Sequence, residues 1–357
     1  MPAQVRQQLQ AILLIGGEGT RLRPLTLSRP KPLLPVANRP FLAYQFDLLR
    51  AHGVRDVVLA TSYQASAFKT VFGDGRRWGV KIRYVHEKTP LGTGGAVKNA
   101  ERWVQGTTLI FNGDVFNDLD LGAFLSFHRD RKADVSIALT PVEDPTAFGL
   151  VETEPDGRVR RFLEKPSPEE VTCNTVNAGT YLFEPMAFGK IPKGAVYSLE
   201  RGLFPSLLAE GARLFGFNRG GYWMDIGTIE KYLQAHKDLL NGRIPHQLPG
   251  RRKGTVWLEK GARLAKGAFV DGAACLGAGA QAAAGARLKG SVSLGAGCRV
   301  GEDAVIEDSV LLEGVSVGPR ARVKGSVIGP GVEIGHDAAL ENAAVGPGAV
   351  WPPYSRA

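Results

Sequence analysis

An α/β domain with a mostly parallel sheet, followed by a β-helix wound from hexapeptide repeats, is the fold class that this 357-residue sequence predicts. Three observations carry the prediction. Up to about residue 240, short apolar runs alternate with amphipathic segments, the pattern of strands and helices laid down in turn. Beyond that point an aliphatic residue recurs every six positions, a period that belongs to neither an α-helix nor a plain strand. The chain is also longer than one hydrophobic core usually holds. The expected division is residues 1–242, a linker at 243–253 and a repeat domain at 254–357.

The elements follow in order. "AILLI" (11–15) is apolar throughout, as a strand covered on both faces must be. "PFLAYQFDLLRAHG" predicts a helix: Pro40 stands near its start, Leu42, Phe46 and Leu49 share a face, and Gly53 follows its end. "DVVLATS", "TTLIF" and "DVSIALT" are further buried strands. In "FGLVETEPDGRVRRFLEKP", Pro155-Asp156-Gly157 between two strand-like arms marks a hairpin.

After "NGRIPHQLPGRRKG" the six-residue clock begins. Leu258, Leu264, Val270, Leu276, Ala282, Leu288, Leu294, Val300, Ile306 and Leu312 keep it, and Gly261, Gly267, Gly279, Gly285 and Gly297 hold a second phase. One inward aliphatic per hexapeptide fills a prism core, and small residues turn its corners. The register is expected to slip after Leu312: Val317 and Val323 keep the spacing, and Ile328, Ile334 and Leu340 resume it in a new phase.

Composition narrows the function. With 44% hydrophobic and 22% charged residues the chain reads as an ordinary soluble protein, and no apolar run is long enough for a membrane helix. The polar start "MPAQVRQQLQ" carries no signal-peptide core, so a cytoplasmic location is expected. The net charge of +9 is dispersed except at Arg251-Arg252-Lys253, without an aromatic–basic patch. That suits a phosphate-rich small substrate rather than nucleic acid. Cys173, Cys275 and Cys298 form no CxxC and are expected to be reduced thiols.

The stretch "LLIGGEGTRLRPLTLSRPKPLLP" (13–35) carries the chemistry. Gly16, Gly17 and Gly19 follow a buried strand at its carboxyl end, where open α/β sheets bind ligands. Their bare backbone allows N–H groups to converge on phosphate oxygens, Thr20 can add a hydroxyl, and Arg21 and Lys31 can neutralise a triphosphate. A tight turn with surface cations is the competing reading. The segment is neither G-x-G-x-x-G nor a P-loop. Asp114 lies just past another buried strand, at the same sheet edge, and Asp225 stands among apolar neighbours in "GYWMDIGT". Two carboxylates that leave room for phosphate oxygens suit Mg²⁺. Alternatively Asp114 caps a loop and Asp225 caps the helix that starts at "TIEKYLQAH". Glu164 can accept from sugar hydroxyls, Lys165 can bind a phosphate, and the Asn177 amide can both donate to and accept from a hydroxyl. An exposed, charged strand end is the alternative for Glu164 and Lys165.

In order along the chain, "GGEGTRLRPLTLSRPKPLLP", "PLGTGG", "NGD", "FLEKP", "VNAGTY" and "WMDIGT" resemble the motifs of sugar-phosphate nucleotidyltransferases. The resemblance covers residues 11 to about 240, and the hexapeptide tail extends it to nearly the whole chain. Within that family the chain looks most like the mannose-1-phosphate guanylyltransferases, which carry a left-handed β-helix. The resemblance implies a Rossmann-like catalytic domain that joins a nucleoside triphosphate to a hexose 1-phosphate and releases pyrophosphate. It implies that Gly16, Gly17, Gly19 and Thr20 hold nucleotide phosphates, with Arg21 and Lys31 stabilising charge and Glu87 and Gly92 meeting the base. Gly149, Glu164, Lys165 and Asn177 would hold the sugar phosphate, and Asp114 and Asp225 would carry Mg²⁺. A carboxylate such as Glu87 could accept from both guanine N1–H and the exocyclic amine, which favours GTP; mannose 1-phosphate is the favoured acceptor. Thymidylyl, uridylyl or adenylyl transfer to glucose 1-phosphate is the alternative, and a non-catalytic regulatory homologue the second. The β-helix holds the single histidine His336, too little for an acyltransferase site, and is expected to serve assembly of a homo-oligomer or regulation.

Overall fold

The computed structural model describes residues 9–62 and 64–356. The chain packs into two compact units. One comprises the chain up to Gly17 together with Gln45–Trp223; the other comprises Glu18–Tyr44 together with the chain from Met224 onward. The signature segment 18–44 and the helix before the repeats belong to the same compact unit as the repeats themselves.

The first unit is built on a nine-stranded sheet. Its strands are β1 (Gln10–Leu14), β2 (Asp56–Thr61), β3 (Lys81–His86), β4 (Thr108–Asn112), β5 (Val135–Pro141), β6 (Gly149–Thr153), β7 (Val159–Glu164), β8 (Thr175–Phe183) and β9 (Leu214–Phe217). Helices α1 (Leu42–Ala51), α2 (Ala65–Phe72), α3 (Gly92–Ala100) and α4 (Leu121–Asp130) alternate with the early strands. The main path runs β7-β6-β8-β4-β1-β2-β3, with β5 joined to β8 and β9. Strands β4, β1, β2 and β3 are mutually parallel, and the order reverses between β1 and β4. Alternate residues of these strands (Ile12, Val58, Ile110) lie in one buried cluster with Val97 of α3, and the residues between them (Leu13, Leu59, Phe111) are buried too, so both faces are covered and the early runs read as apolar throughout. The expected hairpin forms between β6 and β7, with Gly157 at φ 90° in its turn.

The second unit contains α5 (Ile229–Leu240) and the β-helix. Residues 256–258 pair in parallel with 274–276, and these with 292–294, so each early coil takes eighteen residues, three hexapeptides. All five glycines of the second phase have φ between 69° and 88°, the left-handed corner that a side chain resists. One column of outward residues alternates in sign through the register Asp271, Lys289, Glu307, Lys324, Glu341, and Lys324 reaches Glu341 at 3.2 Å.

The slip differs from the expectation. Leu294 pairs with Leu311, not Leu312, and from there each coil takes seventeen residues. The inward series is Ile306, Leu311, Val317, Val323, Ile328, Ile334, Leu340, Val345, so one corner per coil is a pentapeptide. Each short corner turns on a left-handed residue: Asp308 (φ 44°), Gly325 (φ 55°) and Asn342 (φ 51°). Serine hydroxyls stitch the corners together, Ser309 accepting from Ser326 N–H and Ser326 from Ala343 N–H, both at 3.0 Å. Adjacent aliphatics at Leu311 and Leu312 satisfy a six-residue clock either way, which is why the sequence misplaced the step.

Cys298 lies in the coil's core, whereas Cys275, also buried, faces away from it and donates to Ser293 hydroxyl at 3.2 Å; all three cysteines are free thiols. Burial pushes the Cys275 and Cys298 thiols up to about 12, so they stay protonated and inert. Among the described residues no helix is long and apolar enough to cross a membrane.

Candidate active site

In the first unit, β1 and β4 end side by side at the point where strand order reverses, and their exit loops converge there. Gly113 N–H donates to Leu14 carbonyl at 2.9 Å. A Cβ at Gly113 would stand 2.3 Å from Ile15 Cγ2 and 2.7 Å from Leu14 O, so only glycine lets the two loops touch. That contact places half-buried Asp114 beside the glycine loop. Gly16 is held from below, its carbonyl accepting from Ser62 hydroxyl at 2.5 Å. Gly17 is exposed and has open space where a Cβ would be, leaving its backbone accessible to a phosphate.

Glu87 stands on the turn that leads into α3. It is 6% exposed; its Oε2 accepts Leu91 N–H at 3.1 Å, and its Oε1 is buried without a partner. Burial pushes its carboxyl above the usual carboxylate range. Through Oε2 it closes the 87–91 turn before α3. Gly92 is exposed, with φ 74°, and a Cβ there would lie 2.7 Å from Tyr197 O. Gly94 and Gly95 N–H donate to that same Tyr197 carbonyl at 2.9 and 3.1 Å. The "PLGTGG" glycines therefore serve close packing against the 195–197 segment as well as any ligand.

The sugar-phosphate candidates gather at the β6–β7 end and on β8. Gly149 pairs with Glu164, and a Cβ on Gly149 would stand 2.9 Å from Glu164 Oε2. Burial first, and the Glu200 carboxylate second, push the Glu164 carboxyl up. Lys165 is exposed and holds φ 55°, a left-handed conformation that costs an unbranched side chain about 1 kcal/mol. Asn177 caps a bulge in β8: its Oδ1 accepts Gly179 N–H at 2.9 Å and its Nδ2 donates to Tyr181 hydroxyl at 2.8 Å. One N–H and one lone pair remain for a hydroxyl. Removing the ammonium tests the assignment. Lys165→Ala is expected to raise KM for the sugar phosphate about 10–100-fold, the range of a charge-assisted bond, with KM for the nucleotide within about twofold. Steady-state pyrophosphate release with each substrate varied in turn measures both.

The second unit carries the remaining candidates. Gly19 (φ 64°) leaves room for Lys31 Cβ and Thr26 Cγ2, which would lie 3.0 and 3.1 Å from a Cβ at that position, and Thr26 hydroxyl donates to Gly19 O at 2.9 Å. Lys31 is 9% exposed, its stem packed on that bare backbone. Thr20 and Arg21 are exposed on the short turn that follows. Asp225 is half-buried, forms an ion pair with Lys231, and flanks Gly227 together with Arg21. It is not the cap of α5; Thr228 is, its hydroxyl accepting Lys231 N–H at 3.3 Å. Three contributors escaped the sequence reading. Gly113 was hidden within the short "NGD" motif, whereas Lys231 and Glu200 carry no local signal, since only folding brings them to Asp225 and Glu164.

Among the described residues no three His, Cys, Asp or Glu side chains cluster as a protein-built metal cage. That excludes none of the Mg²⁺ chemistry, because Mg²⁺ takes one or two carboxylates and completes its shell with phosphate oxygens and water. Asp114 at the sheet edge and Asp225 beside two cations offer that donor type.

Residues 10–242 match the nucleotidyl transferase family profile. The chain belongs to the nucleotidyl transferase family. Residues 270–350 of this nucleotidyl transferase match a second profile, the GMPPB C-terminal domain. The chain is 43% identical over 272 residues to mannose-1-phosphate guanylyltransferase of Mycobacterium tuberculosis, covering 76% of this chain and 75% of that one. It is 34% identical over 257 residues to UTP–glucose-1-phosphate uridylyltransferase of Synechocystis, covering 68% of this chain and 66% of the relative. Among solved structures it is similar to HddC from Yersinia pseudotuberculosis complexed with GMP-PN, with TM-score 0.56 and 28% identity, covering 64% of this chain and 99% of that one. The activity of this nucleotidyl transferase is transfer of a nucleotidyl group to a sugar phosphate. Enzymes of the family generally work with a divalent metal.

Proposed function

We propose that the chain joins the guanylyl group of GTP to mannose 1-phosphate, giving a nucleotide sugar and pyrophosphate, with Mg²⁺ as the metal. The observation that carries the reaction class is the Gly113–Leu14 contact, which sets the glycine loop and Asp114 together at the switch point of the sheet. The choice of base and sugar rests on the 43% identity to the mycobacterial guanylyltransferase, because Glu87 is buried and one of its oxygens already accepts Leu91 N–H. The uridylyltransferase relative at 34% identity keeps UTP with glucose 1-phosphate as the second reading.

The acceptor brings an anionic phosphate oxygen, so no general base is required. That oxygen forms a bond to the α-phosphorus, and the bond from the α-phosphorus to the bridging oxygen breaks, releasing pyrophosphate. The residues have alignment and charge neutralisation to supply. Backbone N–H groups of Gly16, Gly17 and Gly19 and the Thr20 hydroxyl would seat the triphosphate. Arg21 and Lys31 would offset its charge; Lys165 would hold the attacking phosphate, and Glu164 and Asn177 the hexose hydroxyls. Asp114 is the candidate Mg²⁺ ligand of the first unit and Asp225 that of the second; Mg²⁺, when bound, supplies charge neutralisation at the phosphates. A cytoplasmic site of action and a homo-oligomer assembled through the β-helix complete the proposal.

Pyrophosphate release should be measured with each of GTP, UTP, dTTP and ATP against mannose and glucose 1-phosphates. Highest kcat/KM with GTP and mannose 1-phosphate is expected, and a preference for UTP with glucose 1-phosphate would decide for the second reading. Asp114→Asn is expected to lower kcat/KM about 100–1000-fold, the scale of removing one preorganised electrostatic group. Its thermal midpoint should remain within a few degrees of the parent.

A further inference from the structure

The loop that bears Asp114 is held from one side by β1, and its other support comes from a residue that no motif marks. Gln45 stands in α1, 4% exposed. Its Nε2 donates one hydrogen to Asn112 carbonyl at 2.9 Å and the other to Val115 carbonyl at 3.0 Å. These carbonyls bracket Gly113-Asp114 in the chain. With Gly113 N–H on Leu14 carbonyl at 2.9 Å, the turn is pinned on both sides of the carboxylate residue. The amide orientation follows from its acceptors: flipped, Gln45 would set an oxygen against two carbonyl oxygens. Gln45 Oε1 is left buried without a partner. Buried unpaired oxygens are uncommon and disfavoured in folded proteins, and one retained beside a functional loop calls for a compensating role.

We propose that Gln45 is a positioning residue for the metal-binding carboxylate, holding the Asn112–Val115 turn so that Asp114 meets the metal already oriented. The inference rests on the reading of Asp114 as a metal ligand. Gln45 touches neither nucleotide nor sugar in this role. A single two-hydrogen donor in the place of Nε2 satisfies both carbonyls; an apolar or ionised acidic side chain satisfies neither.

The test uses the full chain with Gln45→Met, which keeps length and loses the donor, and Gln45→Glu, which keeps shape but accepts where donation is needed. Gln45→Asn, a shortened amide, stands in if either fails to fold. Mn²⁺ binding in the presence of GTP is followed by electron paramagnetic resonance, and the Mg²⁺ dependence of pyrophosphate release is measured alongside, with Asp114→Asn as reference. The expected result is an Mn²⁺ dissociation constant raised about tenfold in both Gln45 variants, with activity recovering in part at high Mg²⁺, and KM for the sugar phosphate unchanged. A purely structural role would lower the thermal midpoint and leave metal affinity alone. Weakened Mn²⁺ binding in Asp114→Asn with unaltered binding in the Gln45 variants overturns the inference and leaves the ligand assignment standing. Unaltered binding in Asp114→Asn overturns the ligand assignment itself.

Discussion

Replacing Arg21 by alanine is expected to lower kcat about 100–1000-fold while the protein stays folded. The guanidinium belongs to an exposed turn, so its removal opens no cavity. It lies against Gly227, where an added Cβ would stand 3.1 Å from its Nη2 and 2.7 Å from Asp225 Oδ2. With Lys231 paired to the same aspartate, two cations surround one carboxylate. That excess of positive charge would suit a bound triphosphate. Charge that grows on the transferred and leaving phosphates is best stabilised by donors already in place, and Arg presents a planar fork that matches phosphate oxygens. Arg21→Lys should recover part of the loss, since it restores charge without the fork. Lys31→Met provides the companion measurement: it keeps the stem that packs on Gly19 and removes the ammonium. Single-turnover rates at saturating nucleotide, with thermal melts of each variant, decide the matter. Parent-like rates in Arg21→Ala would remove this residue from the catalytic machinery.

The second large effect is acid destabilisation through buried neutral histidines. His236 lies in α5 at 2% exposure, its Nδ1 3.3 Å from Ala37 N–H and 2.8 Å from Ser293 hydroxyl. Burial pushes its pKa down to about 3. His128 is also buried, between Ser136 hydroxyl at 2.8 Å and Glu184 at 3.1 Å, and burial lowers it too, against the pull of Glu184. The unfolded chain protonates each near its ordinary value, about 6.5. Both groups are lowered on folding, so the folded state is favoured in full above about pH 6.5 and loses ground as pH falls from there toward the folded values. For His236 the slope is about 1.4 kcal/mol per pH unit, or about 2 kcal/mol at pH 5. Urea midpoints at pH 8 and pH 5 measure it. His236→Asn, which keeps an acceptor near Nδ1, should shrink the difference between the two midpoints; an unchanged difference would place the acid sensitivity elsewhere.

The parts of the fold that repeat along the chain were legible in the sequence. Strand β1, helix α1, the hairpin turned at Gly157 and the hexapeptide coil all follow from side-chain period and from Gly and Pro placement, which act over a few residues. So do the glycine loop and its position past a buried strand. The coil's step to seventeen residues was not legible at its true place, because Leu311 and Leu312 are equally apolar and only rung pairing selects Leu311. Site residues divide the same way. Gly16, Gly17 and Asp114 could be placed at one sheet edge by the end of each strand, whereas the contact through Gly113 emerged with the tertiary structure.

The sequence by itself determined the two architectures and the family it resembles, because motifs and periods are local. Only the tertiary structure decided three things. It gave Glu87 to Leu91, and set Gln45 under the Asp114 turn from 69 places away. It also packed the signature segment with the repeats: Asn38 amide donates to Leu294 carbonyl at 3.0 Å, and Arg29 pairs with Glu313, 284 residues along the chain. Hydrogen-bond partners are chosen by which buried donors and acceptors a fold brings within about 3 Å, and that choice has no period along a chain.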